Sequence, residues 1–189
     1  MTQLDIMIDL ETLGTRPDAA IIQIGAVMFE PVSGGRIHNG LGFNKHVLYQ
    51  DGIGTVDHST ICFWLQEKSA GKMGNELSTL AEFMPDVLMA FEAWPKQTMD
   101  VDWDNIGRVW ANPSDFDLPI LKTAHVRVGR DVPWDRRATR DARTLFDLVG
   151  GKPDIDWTGM TPHDALDDAV GQAQQVQKAM GILAGDPSV

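Results

Sequence analysis

Two apolar runs near the start of the chain constrain its fold most: residues 4–9 (LDIMID) and residues 21–29 (IIQIGAVMF). Both are short and rich in Ile, the pattern of buried β-strands rather than of helices. Ser33-Gly34-Gly35-Arg36 then marks a turn, and residues 37–48 pair back as a third strand, so the chain opens on a meander. The character changes at Asp57-His58-Ser59-Thr60, which supplies capping residues ahead of Ile61, Trp64 and Leu65 at helical spacing. A second helix is expected over 78–94, kinked or restarted at Pro85. Residues 108–111 (RVWA) read as a short strand. Ser114 and Asp115 cap a helix that runs through His125, with Pro119 in its first turns. A last strand is expected near 133–138, a short helix over 141–149, and a long helix over 165–183. The apolar stripe of that long helix is Leu166, Ala169, Val170, Ala173, Val176 and Met180. Strands first, then strands alternating with helices, predict an α/β chain built on a mixed sheet with helices packed against it. With 189 residues and neither repeats nor low-complexity segments, a single domain over 1–189 is the expectation.

Composition narrows the classes of function. The single Cys62 excludes a disulfide framework and a multi-cysteine zinc site. No run approaches the roughly 18 apolar residues of a membrane span, and MTQLDIMIDLE has no basic region ahead of its apolar stretch, so the expectation is a cytoplasmic protein with no membrane partner. The net charge of −11 argues at first against nucleic acid as a partner. It is unevenly spread, however. Residues 122–143 carry Lys122, Arg127, Arg130, Arg136, Arg137, Arg140 and Arg143 against Asp131, Asp135 and Asp141, a local net of +4 that leaves −15 on the remainder. Arginine can grip phosphate with a bidentate fork.

The first chemical feature is Asp9-Leu10-Glu11, at the end of the first run. Residues two apart on a strand project from the same face, so both carboxylates reach toward one point. Two anions that close repel unless a cation lies between them, and hard divalent ions prefer oxygen ligands. The motif is weak alone, because about 0.7 Asp-x-Glu matches are expected by chance in a chain this acidic. Its context is specific. DLETLG followed by IIQIGAV resembles the first motif of the DEDD exonuclease superfamily. The segment from Val109 through Asn112 into SDFDLPIL resembles the second motif, in which Asp117, following Phe116, matches the family pattern better than the cap-placed Asp115. His163 and Asp168, five positions apart, resemble the third motif and mark the DEDDh subgroup; between them Asp164 is expected to cap the long helix and Asp167 to face solvent. His46 and Asp51 repeat that spacing but fall in the expected third strand, with no helix behind them. Within the superfamily, TICFW with Thr60 and Trp64, WANPSDFD, RDARTL with Arg140 and Arg143, and HDALDDAVGQAQ are similar to one branch. That branch contains phage T4 exonuclease A, exodeoxyribonuclease VIII-like enzymes and mycobacterial exoribonuclease-like domains. Asn112-Pro113, where a glycine is expected, and Pro85 depart from it.

The resemblance implies an RNase H-like mixed five-stranded sheet with helices on both faces. It implies a 3'-5' exonuclease, in a bacterium or a phage-infected cell, that releases nucleoside monophosphates from single-stranded ends. Two divalent cations, Mg2+ or Mn2+, would be held by Asp9, Glu11, Asp117 and Asp168, with His163 as the general base. Thr12, Leu13, Trp64 and Phe116 are the candidates for contacting the terminal sugar and base, and Arg140 and Arg143 those for phosphate. The expected partners are single-stranded DNA or RNA 3' ends, with DNA slightly ahead, and a homodimer stays open. A catalytically silent nucleic-acid binding module would be favoured by a missing carboxylate, and none is missing. A phosphatase or nucleotide hydrolase using the same carboxylates is the third reading.

Overall fold

The two apolar runs form β1, Leu4–Thr12, and β2, Ile21–Phe29, and every residue of β2 is buried. These assignments come from a computed structural model that describes residues 3–50, 52–67 and 70–186. β1 and β2 are antiparallel, with Asp9 opposite Gly25 and Glu11 opposite Gln23. β1 runs past the expected end of the strand, so both Asp9 and Glu11 belong to it. The third strand is shorter than the expected 37–48. Only Phe43–His46 pairs with β2, as β3, while a 3-10 turn at Asn39–Leu41 interrupts the meander and Ile37 makes a single bridge to Phe29. β4, Ile106–Ala111, and β5, Thr139–Asp141, add in parallel on the other edge, giving the order β3-β2-β1-β4-β5. The last strand thus begins beyond the expected 133–138. There the Asp135 carboxylate accepts the Arg137 amide at 2.7 Å and stabilises a 3-10 turn at Arg136–Ala138 instead.

Among the described residues six α-helices follow: α1 His58–Gln66, α2 Ala70–Thr79, α3 Met84–Met99, α4 Ser114–Arg127, α5 Ala142–Leu148 and α6 Ala165–Ala184. The helix expected over 78–94 is in fact the end of α2 and most of α3. Pro85 occupies the first turn of α3, where its missing amide hydrogen costs nothing, so it starts a helix rather than kinking one. Asp57 does not cap α1 with its side chain; its Oδ2 accepts the Thr15 amide at 2.8 Å and pins the loop after β1. Alternation along β1 sends Ile6, Ile8 and Leu10 into a core with Val87, Leu88 and Phe91 of α3 and Leu118 and Leu121 of α4. Met7, with Val27 and Trp110, packs on the opposite face against Leu145 of α5 and Val170 and Val176 of α6. Helices therefore cover both faces of an RNase H-like mixed sheet. The same parity puts Asp9 and Glu11 on the face that α6 covers.

The approach of α6 depends on Gly25. A Cβ at that position would lie 2.0 Å from the backbone carbon of Ala165, the first residue of α6. The helix start is thus seated directly on β2, beside the strand that carries Asp9. Gly25→Ala is expected to destabilise the fold by about 2–3 kcal/mol, lowering Tm by roughly 5–10 °C for a chain of this size. A thermal melt equal to that of the wild type would contradict so close a seating.

Candidate active site

Four carboxylates converge at the C-terminal ends of β1 and β4. Asp9 and Glu11 come from β1, Asp117 from the first turn of α4 and Asp168 from the first turn of α6. Local chemistry fixes each carrier. Asp164 caps α6, its Oδ1 accepting the amides of Leu166 at 3.2 Å and Asp167 at 3.3 Å, as expected of it. Asp141 caps α5 through the Thr144 amide at 2.7 Å, and its other oxygen accepts the Ser114 amide at 2.8 Å, tying the start of α4 to the start of α5. Asp117 is buried and its Oδ1 accepts the Leu10 amide at 3.0 Å, so this carboxylate is locked to the residue between Asp9 and Glu11. Gln172 Nε2 donates to Asp9 Oδ1 at 2.7 Å.

His163 lies in the loop before α6, with a left-handed backbone at φ 59°, and its amide donates to Asp168 Oδ2 at 3.1 Å. Its ring is edge-on to Phe63 at 5.1 Å and to Trp64 at 6.1 Å, and its Nε2 stands 3.7 Å from Glu67 Oε2. One ligand atom each from Glu11, His163 and Asp168 falls within 4.8 Å of the others. Asp167, expected to face solvent, instead accepts the Thr161 amide at 2.7 Å and anchors the other end of the histidine loop.

Burial and mutual repulsion dominate the electrostatics. Burial, reinforced by Asp117, Glu11 and Asp168, pushes the Asp9 carboxyl well above the usual range. Burial, then Asp168 and Asp117, pushes Glu11 up to about 8. Burial raises Asp117 to about 7 against the opposing Leu10 amide and Arg143 charge, and burial also raises Asp168. Asp164 on the same helix is the contrast. Burial would raise it too, but Lys72 Nζ at 3.0 Å and the capping amides outweigh that and hold it below the usual range. Asp164 has an ion-pair partner in Lys72, and among the described residues none of the four clustered carboxylates has one. An all-carboxylate donor set with unrelieved repulsion fits hard divalent cations.

The repulsion predicts how stability depends on pH. Each raised carboxyl holds its proton more tightly in the folded chain than in the unfolded one. Its stabilising contribution is therefore complete below the unfolded range near 4 and is lost as pH rises through about 7 for Asp117 and about 8 for Glu11. Chelator-treated protein is expected to melt at a lower temperature at pH 8.5 than at pH 5.5, with added Mg2+ or Mn2+ restoring Tm mainly at pH 8.5. Equal metal-induced shifts at both values would show that the cluster does not take up the ions.

A cleft of about 350 Å3 opens beside the carboxylates, lined by Glu11, Thr12, Ser59, Thr60, Phe63, Trp64 and Phe116 among others. Thr12, Trp64 and Phe116 thus meet there, with Trp64 Nε1 donating to the Thr12 carbonyl at 2.9 Å. Leu13 does not line the cleft; its side chain packs on Ile22, Trp64 and Met73. The two candidate arginines diverge. Arg143 is close enough to Asp117 to lower its pKa. Arg140 bonds to the carbonyls of Arg137 and Thr139 at 2.7 and 2.8 Å, and its charge is felt by Asp5, near the far end of β1. The basic segment is also partly occupied. Arg127 serves the Asp18 and Ile53 carbonyls, and Arg130 pairs with Glu92. Of the residues that sequence reasoning missed, Gln172 was recoverable, since it follows Asp168 by one helical turn. Glu67 and Lys72 carry no local signal, because only the packing of α1 and α2 brings them to the site. Asp51 lies outside the described residues, and His46 is instead buried 3.3 Å from Glu76.

A family model described as the 3'-5' exoribonuclease Rv2179c-like domain matches residues 4–180. No curated protein matches the chain in sequence. Among solved structures, the nuclease domain of 3'hExo, described as a DEDDh family member bound to rAMP, matches at a TM-score of 0.63 and 16% identity, over 97% of this chain and 94% of that one. The Mg2+- and Mn2+-bound form of S. pombe Pop2p matches at 0.61 and 12%, over 93% and 82%. Cell-death related nuclease 4 matches at 0.56 and 17%, over 97% of this chain, which spans 64% of that protein. At such identities the likeness is one of fold.

Proposed function

The chain belongs to the family of 3'-5' exoribonuclease Rv2179c-like domains and is a 3'-5' exonuclease; from that premise we propose a metal-dependent enzyme that removes nucleoside monophosphates from single-stranded 3' ends. The observation that carries the reading is the convergence of Asp9, Glu11, Asp117 and Asp168, none of which joins an ion pair among the described residues, while His163 is tied by its amide to Asp168. Two divalent cations, Mg2+ or Mn2+, would be held by these four carboxylates and would supply polarisation of the attacking water and relief of charge at phosphorus. His163 takes the proton of that water as it attacks, a role for which its loop, held by Asp167 and Asp168, sets the ring beside Glu11 and Asp168. Asp117 and Gln172 hold the β1 carboxylates in place from either side. Thr12, Trp64 and Phe116 receive the terminal sugar and base in the cleft, and Arg143 meets phosphate.

RNA is the preferred substrate on this reading, because the matching family is described by exoribonuclease activity, whereas the resemblance to phage-type enzymes favours DNA slightly. DNA is the second substrate. The complex of E. coli exonuclease I with a dA16 oligonucleotide shares the fold at a TM-score of 0.59 and 13% identity, over 96% of this chain and 42% of that one. The test is incubation of 5'-labelled single-stranded RNA and DNA with Mg2+ or Mn2+. A ladder shortening from the 3' end, faster on RNA and abolished by chelator, is expected. Intact polymers with both metals would overturn the proposal.

A further inference from the structure

The cleft lined by Trp64 and Phe116 lies on the α1 side of the carboxylates. On their α5 side a second recess of about 350 Å3 is lined by Asn112, Arg143, Phe146, Asp147 and Lys152. Its two cations are uncommitted: among the described residues neither Arg143 nor Lys152 joins an ion pair, unlike Arg127 and Arg130. Arg143 also reaches the active site electrostatically, because its charge acts on Asp117. The Lys152 ammonium stands 6.0 Å from the centre of the Trp157 ring.

Trp157 is an unusual surface residue. Its indole is seated on α6 at Gly171, where a Cβ would come within 2.3 Å of the ring, yet 38% of the residue stays exposed. Gly171 lies on α6 between Asp168 and Gln172, so the ring rests on the turn that carries the active-site carboxylate and its neighbour's hydrogen-bond donor. A rigid aromatic beside uncommitted cations is what single-stranded nucleic acid requires, a stacking surface for a base and donors for a phosphate. Asp147 in the same recess leaves one net positive charge there, enough to favour one phosphate.

We propose that Arg143, Lys152 and Trp157 form a subsite for the nucleotide upstream of the scissile bond, the cations taking its phosphate and the indole its base. The strand then crosses the carboxylates from this recess into the cleft that receives the terminal nucleotide. The proposal rests on the exonuclease reading but is tested by binding, so the two can fail separately. Affinity is measured by competition against a fluorescein-labelled hexanucleotide, using the Asp9→Asn background so that the label is not released by cleavage. Lys152→Ala and Trp157→Ala are each expected to weaken a competing tetranucleotide about 3- to 10-fold and a mononucleotide, which has no nucleotide upstream of it, less than about twofold. Lys152→Ala further lowers the slope of log affinity against log salt by about 0.7, the loss of one phosphate contact. Trp157→Phe, which keeps a ring on Gly171, retains most of the tetranucleotide affinity. Equal losses for both lengths, an unchanged salt slope or no loss at all would overturn the subsite. If the wild type shortens neither polymer while the length-dependent losses persist, the exonuclease reading falls and the subsite stands.

Discussion

Asp9→Asn is expected to abolish 3'-end shortening while making the metal-free protein more stable at alkaline pH. Asp9 is raised well above the usual carboxylate range by burial, then by Asp117, Glu11 and Asp168, against the Gln172 amide. Removing its charge removes one of the four proposed metal ligands. The loss of several kcal/mol of transition-state stabilisation corresponds to at least about 10^3-fold in kcat. The same change relieves repulsion in the absence of metal, so the chelator-treated variant should melt above the wild type at pH 8.5, where the wild-type carboxyls are forced to ionise, and close to it at pH 5.5, where they keep their protons. Both measurements use one purified protein. An inactive variant that is also less stable at pH 8.5 would mean that Asp9 supports the fold rather than a cation.

The second large effect is on His163. His163→Ala is expected to lower kcat by about 10^2- to 10^4-fold, the range of a positioned general base, with little change in KM. The geometry admits a competing role, since a ring nitrogen of His163 lies within 4.8 Å of ligand atoms of both Glu11 and Asp168. Titration of activity with Mg2+ separates the two. For a base, the half-saturating metal concentration of the residual activity stays at the wild-type value. For a ligand, it rises together with the fall in kcat. Because the His163 amide, not the ring, donates to Asp168, the substitution leaves the loop anchored and the carboxylate oriented.

The strands that position the site were legible for a physical reason. β1 and β2 are buried along almost their full length, so burial required continuous apolar runs, and the parity of Asp9 and Glu11 followed from the two-residue period of a strand. α6 was legible from its apolar stripe and from the Asp164 cap. Short elements were placed less well. β5 has three residues and β3 four, too few for a period to register, and in each case a local 3-10 turn took residues assigned to the strand. Pro85 was recognised as a break, but its effect depends on which residues precede it, and α2 ends at Thr79, before it.

The sequence by itself determined the chemistry: which four acids and which histidine are present, and that two of the acids share one face of a strand. It also determined the α/β class, because the periods of buried strands and amphipathic helices are local properties of the chain. Only the tertiary structure decided which charges meet. Asp117 reaches Leu10 across 107 residues, Gln172 reaches Asp9 across 163, and Lys72 rather than an arginine neutralises Asp164. Of the basic segment, Arg127 and Arg130 are consumed by structural contacts, while the Arg143 charge is close enough to act on Asp117. Electrostatic energy depends on separation in space and on burial, and neither is a function of sequence separation. A count of charges along the chain therefore gave the sign of the problem, and the packing of α4, α5 and α6 on the sheet gave its solution.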